Sequence, residues 1–532
     1  MPRTDFQPLH GWELALLSAV LGLGTVVVLS NVPGYTVVVP YAAGGLEGVT
    51  PSFGSWATTD HMIGIALGLP VSRWISGRYG DYRTLATAYV IYAVISLICT
   101  TSQTLAFFLP MRIALGLTGG VILPIAQSIL LNEYPENLRT IGVGLWGMLG
   151  ILPFMVGIFV GGWYNEHLGW RYVFYSNIPV ALLAAGVVAS LFYGRGFNRR
   201  FPRFDFIGFL LLAAILYGLQ TIFNMGNDFD WFASPILVTA LIIVVVALPI
   251  FVIWELGERH PALDLRLFGN RNYTVAVICS MAGFLIIQGT LSLFVGQLQL
   301  LLGYSSDLAG LVYMSMLIFA APVAAIVHEI CKRVDVRLVS CLNFVGIAIT
   351  LTWIGLYDKQ ASFDQIALPM TFFGFSLAMF FVPQAVIAMR GLQGSQLIRA
   401  AEEFTLLRTA AGAFGIALQA VVQFRRAPVH VLELSDQFGG RRFADLDQMT
   451  QLTDRLQEKL PAYSAAMARS QVAIFLKQEA LLLGMNDAFL LGAFVFALLA
   501  AFIWFARSTH VPRLSGAQEL KQLKAEELME EP

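Results

Sequence analysis

Apolar residues run along this chain in stretches of about twenty, separated by short polar connections, and one such stretch is enough to cross a bilayer as a helix. About fourteen can be drawn, from 13–40 at one end to 486–507 at the other. The pattern predicts an all-α polytopic membrane protein with 14 transmembrane helices. One connection breaks the economy: residues 425–485 form a polar segment of about sixty residues, well beyond ordinary loop length. Within it Leu446, Met449, Leu452 and Leu456, and again Val472, Phe475, Leu476 and Leu483, recur at helical spacing. The segment reads equally as a partner surface or as a helical lid over the outer face.

Lys and Arg fall on alternate connections. Arg73, Arg78 and Arg83 follow the second stretch, Arg195, Arg199, Arg200 and Arg203 the sixth, and Arg259, Arg266 and Arg271 the eighth. Lys332, Arg333 and Arg337 follow the tenth, and Arg390 and Arg399 the twelfth. The positive-inside bias therefore predicts cytoplasmic N- and C-termini, and puts 425–485 on the outside.

Composition narrows the function. Charged residues are 13% of the 532, about half the share in soluble proteins. A net charge of −1 argues against a nucleic-acid partner. Cys99, Cys279, Cys331 and Cys341 are scattered without metal-ligand spacing. No HExxH, GxSxG or phosphate-loop motif occurs, so the chain reads as no enzyme and needs no cofactor. A selectivity filter, which a channel would need, is not visible either.

Several segments resemble the fourteen-helix drug:proton antiporters of the EmrB type, within the major facilitator superfamily. Trp170-Arg171-Tyr-Val-Phe174-Tyr-Ser-Asn177-Ile-Pro179 is similar to the family's WRWIFxINxP, and Asp205-Phe-Ile-Gly208 to its DxxG. Asp230-Trp231-Phe232-Ala-Ser234, Pro261-Ala-Leu-Asp264-Leu-Arg266-Leu-Phe268 and Gln299-x-x-x-Gly303-Tyr304-Ser305 resemble the stretches before the eighth, ninth and tenth spans. The resemblance implies a major facilitator fold on a 6+2+6 plan. Residues 1–195 would form an N-terminal six-helix bundle and 196–260 an inserted pair. Helices 9–13 would lie in 261–424, the long periplasmic loop in 425–485, helix 14 in 486–510 and a cytoplasmic tail in 511–532. It further implies export of amphipathic, drug-like or xenobiotic compounds across the bacterial inner membrane, driven by the proton gradient. A periplasmic membrane-fusion adaptor and an outer-membrane channel would be the partners. A dedicated anionic natural product, such as a siderophore, fatty acid or aromatic acid, is the alternative cargo.

The departures from the family are specific. Asn31 stands where the first span usually carries Asp. Arg73-Trp-Ile-Ser-Gly77-Arg78-Tyr-Gly80 replaces GxLADRxG, keeping Arg78 and Gly80 but losing the acid at Gly77. The fourth span keeps Arg112 and Gly116, with Leu115 for Gln. The fifth keeps Gly157, Gly161 and Gly162 of a glycine-rich gating pattern.

Candidate chemistry lies in the polar groups inside the spans, where ionisable residues are costly. Asp60 shares a helical face with Gly64 and Gly68, and such small-residue faces pack against protein. It could replace the missing first-span acid as proton carrier, tuned by His61; simple wetting at the headgroup level is the alternative. Arg112, on a face with Gly116, Gly119 and Gln127, is by resemblance the proton-coupling arginine, a structural pairing being the alternative. Arg408 could meet an anionic substrate, hold a cytoplasmic gate near Glu402 and Glu403, or snorkel. Gln288, Gln297 and Gln299, with Asn31 and Gln127, could orient a polar substrate or join helices. His328 and Glu329 could form a second proton site, but better suit an interfacial position beside Lys332 and Arg333. Pro33-Gly34 and Pro153 are expected to interrupt their helices.

Overall fold

The computed structural model describes residues 9–135, 138–194, 203–357, 361–438 and 464–508. Every predicted stretch coincides with a helix or a broken helix. The N-terminal half comprises α1 (Trp12–Gly45), α2 (Pro51–Tyr79), α3 (Asp81–Thr101), α4 (Leu105–Glu133), α5 (Arg139–His167) and a sixth span split into α6 (Tyr172–Tyr175) and α7 (Asn177–Leu191). Then come α8 (Phe206–Met225) and α9 (Pro235–Gly257). The C-terminal half begins with α10 (Arg271–Gly296), which ends in a π-helical turn, Gln297–Leu301. It continues with α11 (Ser306–Met314), α12 (Leu317–Arg333), α13 (Val336–Ile354), α14 (Phe363–Met389), α15 (Gly394–Phe438) and α16 (Ser464–Phe502).

Twelve of the described helices are long and apolar enough to cross a membrane, and α11 with α12, bent by 40°, make a thirteenth span. Fourteen were expected; α2, the remaining helix, is 29 residues long but falls short of that apolarity. Its middle carries Thr58, Thr59, Asp60 and His61, all buried against protein. A helix shielded from lipid by its neighbours needs no apolar surface of its own.

Packing repeats between the halves. In the N-terminal half α2 lies on α4, α1 on α5 and α3 on α7; in the C-terminal half α12 lies on α14, α10 on α15 and α13 on α16. Numbered by span, these are the same three pairings. The halves meet along two seams, α2 with α15 and α5 with α11 and α12, which the same exchange relates. The inserted α9 packs almost entirely on α8, while α8 touches both α2 and α15 and so lies along one seam. Asn224 of α8 donates to Thr59 of α2 at 2.9 Å, and Phe223 meets Phe414 of α15.

Three expectations change. Helix α1 runs unbroken through Pro33 and Pro40, and α5 through Pro153. Proline fixes a helix-compatible φ, and the lost hydrogen bond is tolerable where packing holds the helix. The breaks fall elsewhere: between α11 and α12, where Ser315 turns its hydroxyl to the carbonyls of Val312 and Ala367, and at the π turn. The segment 425–485 is helical at both described ends, since α15 reaches Phe438 and α16 starts at Ser464. At about 1.5 Å per residue, both helices are far longer than the bilayer requires. Residues 439–463, including Leu446, Met449, Leu452 and Leu456, lie outside the described residues, as do the 195/196 boundary and the tail 511–532.

Candidate functional site

The site builds from a close contact of two helices. Gly64 and Gly68 of α2 face Gly116 and Gly120 of α4 so closely that an added Cβ would meet the backbone of Ile113 or Leu117. Gly116 itself sits on the His61 carbonyl. Glycine at these positions brings the backbones together and carries Asp60, His61 and Arg112 inward.

Arg112 is fully buried, yet all its hydrogen bonds go to neutral groups. Its Nε donates to the Ala57 carbonyl at 2.9 Å, Nη1 to Oδ1 of Asn31 at 3.1 Å and Nη2 to the Asn31 carbonyl at 3.5 Å. The guanidinium also lies over the rings of Tyr35 (4.7 Å) and Phe174 (5.3 Å). Cation–π contacts are worth about 2 kcal/mol each when desolvated, comparable with the roughly 3 kcal/mol cost of an arginine at the centre of a spanning helix. Asn31 is held in place by donating to Tyr92 Oη at 2.9 Å. Nδ1 of His61 lies 3.2 Å from the Arg112 carbonyl and so carries a proton; Nε2 is buried and unpartnered. Asp60 is 4% exposed and within Coulombic reach of Arg112, but the two form no ion pair. Asn31, Asp60, His61 and Arg112 thus form one group; Gln127, on the order of 20 Å further along α4, is half-buried and outside it.

A second polar centre lies in the C-terminal half, on the far side of Met62. Arg408 of α15 sits among Phe381 (4.9 Å), Phe284 (5.7 Å) and Phe404 (5.7 Å), with its Nε unpartnered. Phe154 of α5 completes the cluster by meeting Phe284 and Phe381, so these rings join the halves. Gln288 touches the sulfur of Met62 at 3.5 Å. Gln297 and Gln299 belong instead to the end away from the arginine-rich connections, the outer end by the positive-inside bias. Gln297 is buried with its Oε1 unpartnered, and Gln299 donates to the Val37 carbonyl at 2.8 Å and to Ser306 Oγ at 3.2 Å.

The candidate gating residues divide. Gly157 and Gly161 lock α5 to Ser30, Pro33 and Gly34 of α1 within one half, whereas Gly162 lies against the backbone of Ser306 and Asp307 in the other half. Next to it, Asn165 donates to Ser306 Oγ at 3.0 Å and Glu166 accepts from the Ser306 amide at 2.9 Å. At the opposite end Arg78 is exposed, and Gly80, at φ 88°, turns the chain from α2 into α3. There the seam is closed by Arg73 and Glu402, 3.0 Å apart. Neither Glu166 nor Arg73 was legible as a contact; the only signal was a charge near each span end. Glu329 pairs with Lys332 and Arg333 and is half exposed, in keeping with an interfacial position.

Comparison with known proteins agrees with this architecture. The sequence profile of the Major Facilitator Superfamily matches residues 14–419. The multidrug export protein EmrB of Haemophilus influenzae is 27% identical over 507 residues, covering 94% of this chain and 97% of that protein. The fatty acid resistance protein FarB of Neisseria gonorrhoeae is 28% identical over 509 residues, covering 94% and 98%. Among solved structures, the xylose transporter XylE from E. coli superposes with a TM-score of 0.55 at 13% identity, over 95% of this chain and all of that one, a likeness of fold alone. With its helical architecture and a match across three quarters of its length, the chain belongs to the major facilitator superfamily of membrane transporters.

Proposed function

We propose that this transporter is a proton-driven exporter of amphipathic, drug-like compounds in the bacterial inner membrane, working by alternating access. The observation that carries the reading is the group around Arg112. A fixed cation, bonded only to neutral partners, faces a buried acid that no ion pair locks. Such an acid can hold a proton in one state and release it in the next, because the nearby charge favours its ionised form and burial its neutral form. Asn31, unable to ionise, orients Arg112, and His61 bonds the Arg112 carbonyl beside them. The chain's own groups and the proton gradient suffice for this cycle without a cofactor. Relatives named for multidrug export support the direction of transport. A periplasmic adaptor would meet the helical extensions 425–438 and 464–485, and through it an outer-membrane channel.

Everted membrane vesicles with ethidium as the probe test the reading. Export should require the pH gradient, and Asp60→Asn should abolish it at an unchanged protein level in the membrane. Gradient-dependent export by Asp60→Asn would exclude Asp60 as the carrier.

One observation favours anionic cargo as a second reading. Among the described residues no carboxylate lies within ion-pair distance of Arg408, which is walled by phenylalanines, a setting that suits a carboxylate with an apolar body. Competition of ethidium export by a medium-chain fatty acid, lost in Arg408→Gln, would favour it.

A further inference from the structure

Five charged groups converge where α2 and α15 close against the connection before α10, at the arginine-rich end. Arg73 of α2 pairs with Glu402 at 3.0 Å, and Arg399 lies 3.9 Å from Asp264. Glu403 accepts from the Asp264 amide at 2.7 Å through Oε1. With every carboxylate ionised, three negative charges would face two positive ones. Glu403 is the acid left without a cation at ion-pair distance. It is 4% exposed, and its Oε2 is buried with no hydrogen-bond partner. The hydroxyl of Tyr273 on α10, also buried and unpartnered, lies within Coulombic reach. A cavity of about 10 Å³, lined by Arg73, Glu402 and Glu403 with Leu69, Ala262 and Leu406, adjoins the cluster and has room for about one water.

An ionised carboxylate with a bare buried oxygen is costly, whereas a neutral acid needs only one acceptor, such as a water in the adjoining cavity. We propose that Glu403 is a proton-binding site at the inner seam, holding its proton on Oε2 and exchanging it through the adjoining cavity. The proton then acts on the latch beside it. Deprotonated Glu403 competes with Glu402 for Arg73, which lies within Coulombic reach of both, and repels Glu402. Losing the proton therefore loosens the Arg73–Glu402 pair, and regaining it lets the seam close. By linkage, closing the inner seam favours proton uptake and opening it favours release. Asp264, Arg73, Glu402 and Tyr273 are the groups that face Glu403, while Arg399 reaches Glu402 and Asp264. The effect on transport rests on the antiport reading, but the protonation itself does not.

Infrared difference spectra of the purified full-length protein at neutral pH test the site. The wild type should show a carboxylic C=O band that Glu403→Gln lacks and Glu402→Gln keeps; an unchanged band in Glu403→Gln overturns the proposal. Spin labels on cysteines placed at Arg78 and Leu397, with the native cysteines replaced, read the seam. Raising the pH should increase the open fraction roughly tenfold in the wild type and leave Glu403→Gln closed. Wild-type-like opening of Glu403→Gln would sink the latch. Ethidium export independent of the pH gradient, with band and seam behaving as expected, would instead remove the antiport reading and leave the site standing.

Discussion

At its outer end the molecule closes backbone against backbone, and at its inner end charge against charge. The outer seam sets Gly162 of α5 on the backbone of Ser306, adds hydrogen bonds donated by Asn165 and Gln299, and has Glu166 accept from the Ser306 amide. The inner seam rests on Arg73 and Glu402, whose side chains are 35% and 18% exposed, beside a small cavity. The same pairing of spans makes both, so the difference lies in side chains rather than architecture. Close-packed backbone resists small changes and opens all at once. A half-exposed ion pair is weak and responds to pH and salt. The outer seam is built as a stop, the inner one as a switch.

Substitutions can break this contrast. Gly162→Val should have the largest effect: its side chain has no room against Ser306. Overpacking of about 3 kcal/mol would hold the outer seam open and cut export more than a hundredfold. Spin labels at Leu168 and Leu300 would show the widening, and a closed seam in this variant would refute the glycine contact. Glu166→Gln removes a negative charge from the N-terminus of α11, an interaction of about 1 kcal/mol or less. The same label pair should report an outer open fraction several times higher.

At the inner end, Arg73→Glu should open the seam by a few-fold, since a partly exposed pair contributes on the order of 1 kcal/mol. Arg73→Glu with Glu402→Arg should restore the Arg78–Leu397 label distance; no restoration would mean the pair is incidental. Raising the salt to about 1 M, where charges are screened within about 3 Å, should loosen the inner seam and leave the outer one unmoved. Equal responses of both seams would remove the distinction.

Asp335 is the control, with no expected effect on either seam. It caps α13 and holds Arg337 at 2.8 Å and Ser508 at 2.9 Å, all within the C-terminal half. Partial burial acts against its charge, but hydrogen bonds from Arg337 and Ser508 outweigh this and pull the carboxyl down to about 2. Its folded value lies below the ordinary one, so its stabilisation is present above about pH 4 and lost as the pH falls toward 2. That contribution is roughly 2 kcal/mol. Asp335→Ala should lower thermal stability at pH 7 and narrow the difference between pH 7 and pH 3, with seam distances unchanged.

Much of this was legible in the chain. The face shared by Asp60, Gly64 and Gly68 pointed to close helix packing, and α2 does meet α4 along those glycines. Asn31 and Arg112 were visible as departure and match, and they turn out to bond each other. Gln288, Gln297 and Gln299, by contrast, looked like one set on one helix. The π turn shifts the register at Gln297, so Gln299 reaches α1 at the outer end while Gln288 stays beside Met62. Proline suggested breaks where packing keeps helices whole, and the break in the tenth span came from a serine that hydropathy does not register.

Hydropathy placed the helices along the chain, because each span must satisfy its own backbone in lipid. That is a local requirement, read within twenty residues. Tertiary structure decided what meets across the seams: that Arg112 bonds an amide, that Glu166 caps a helix of the other half, and that Glu403 is left beside an ion pair made by its neighbour. Those contacts join residues far apart in sequence, and no short window carries the angle at which two halves close.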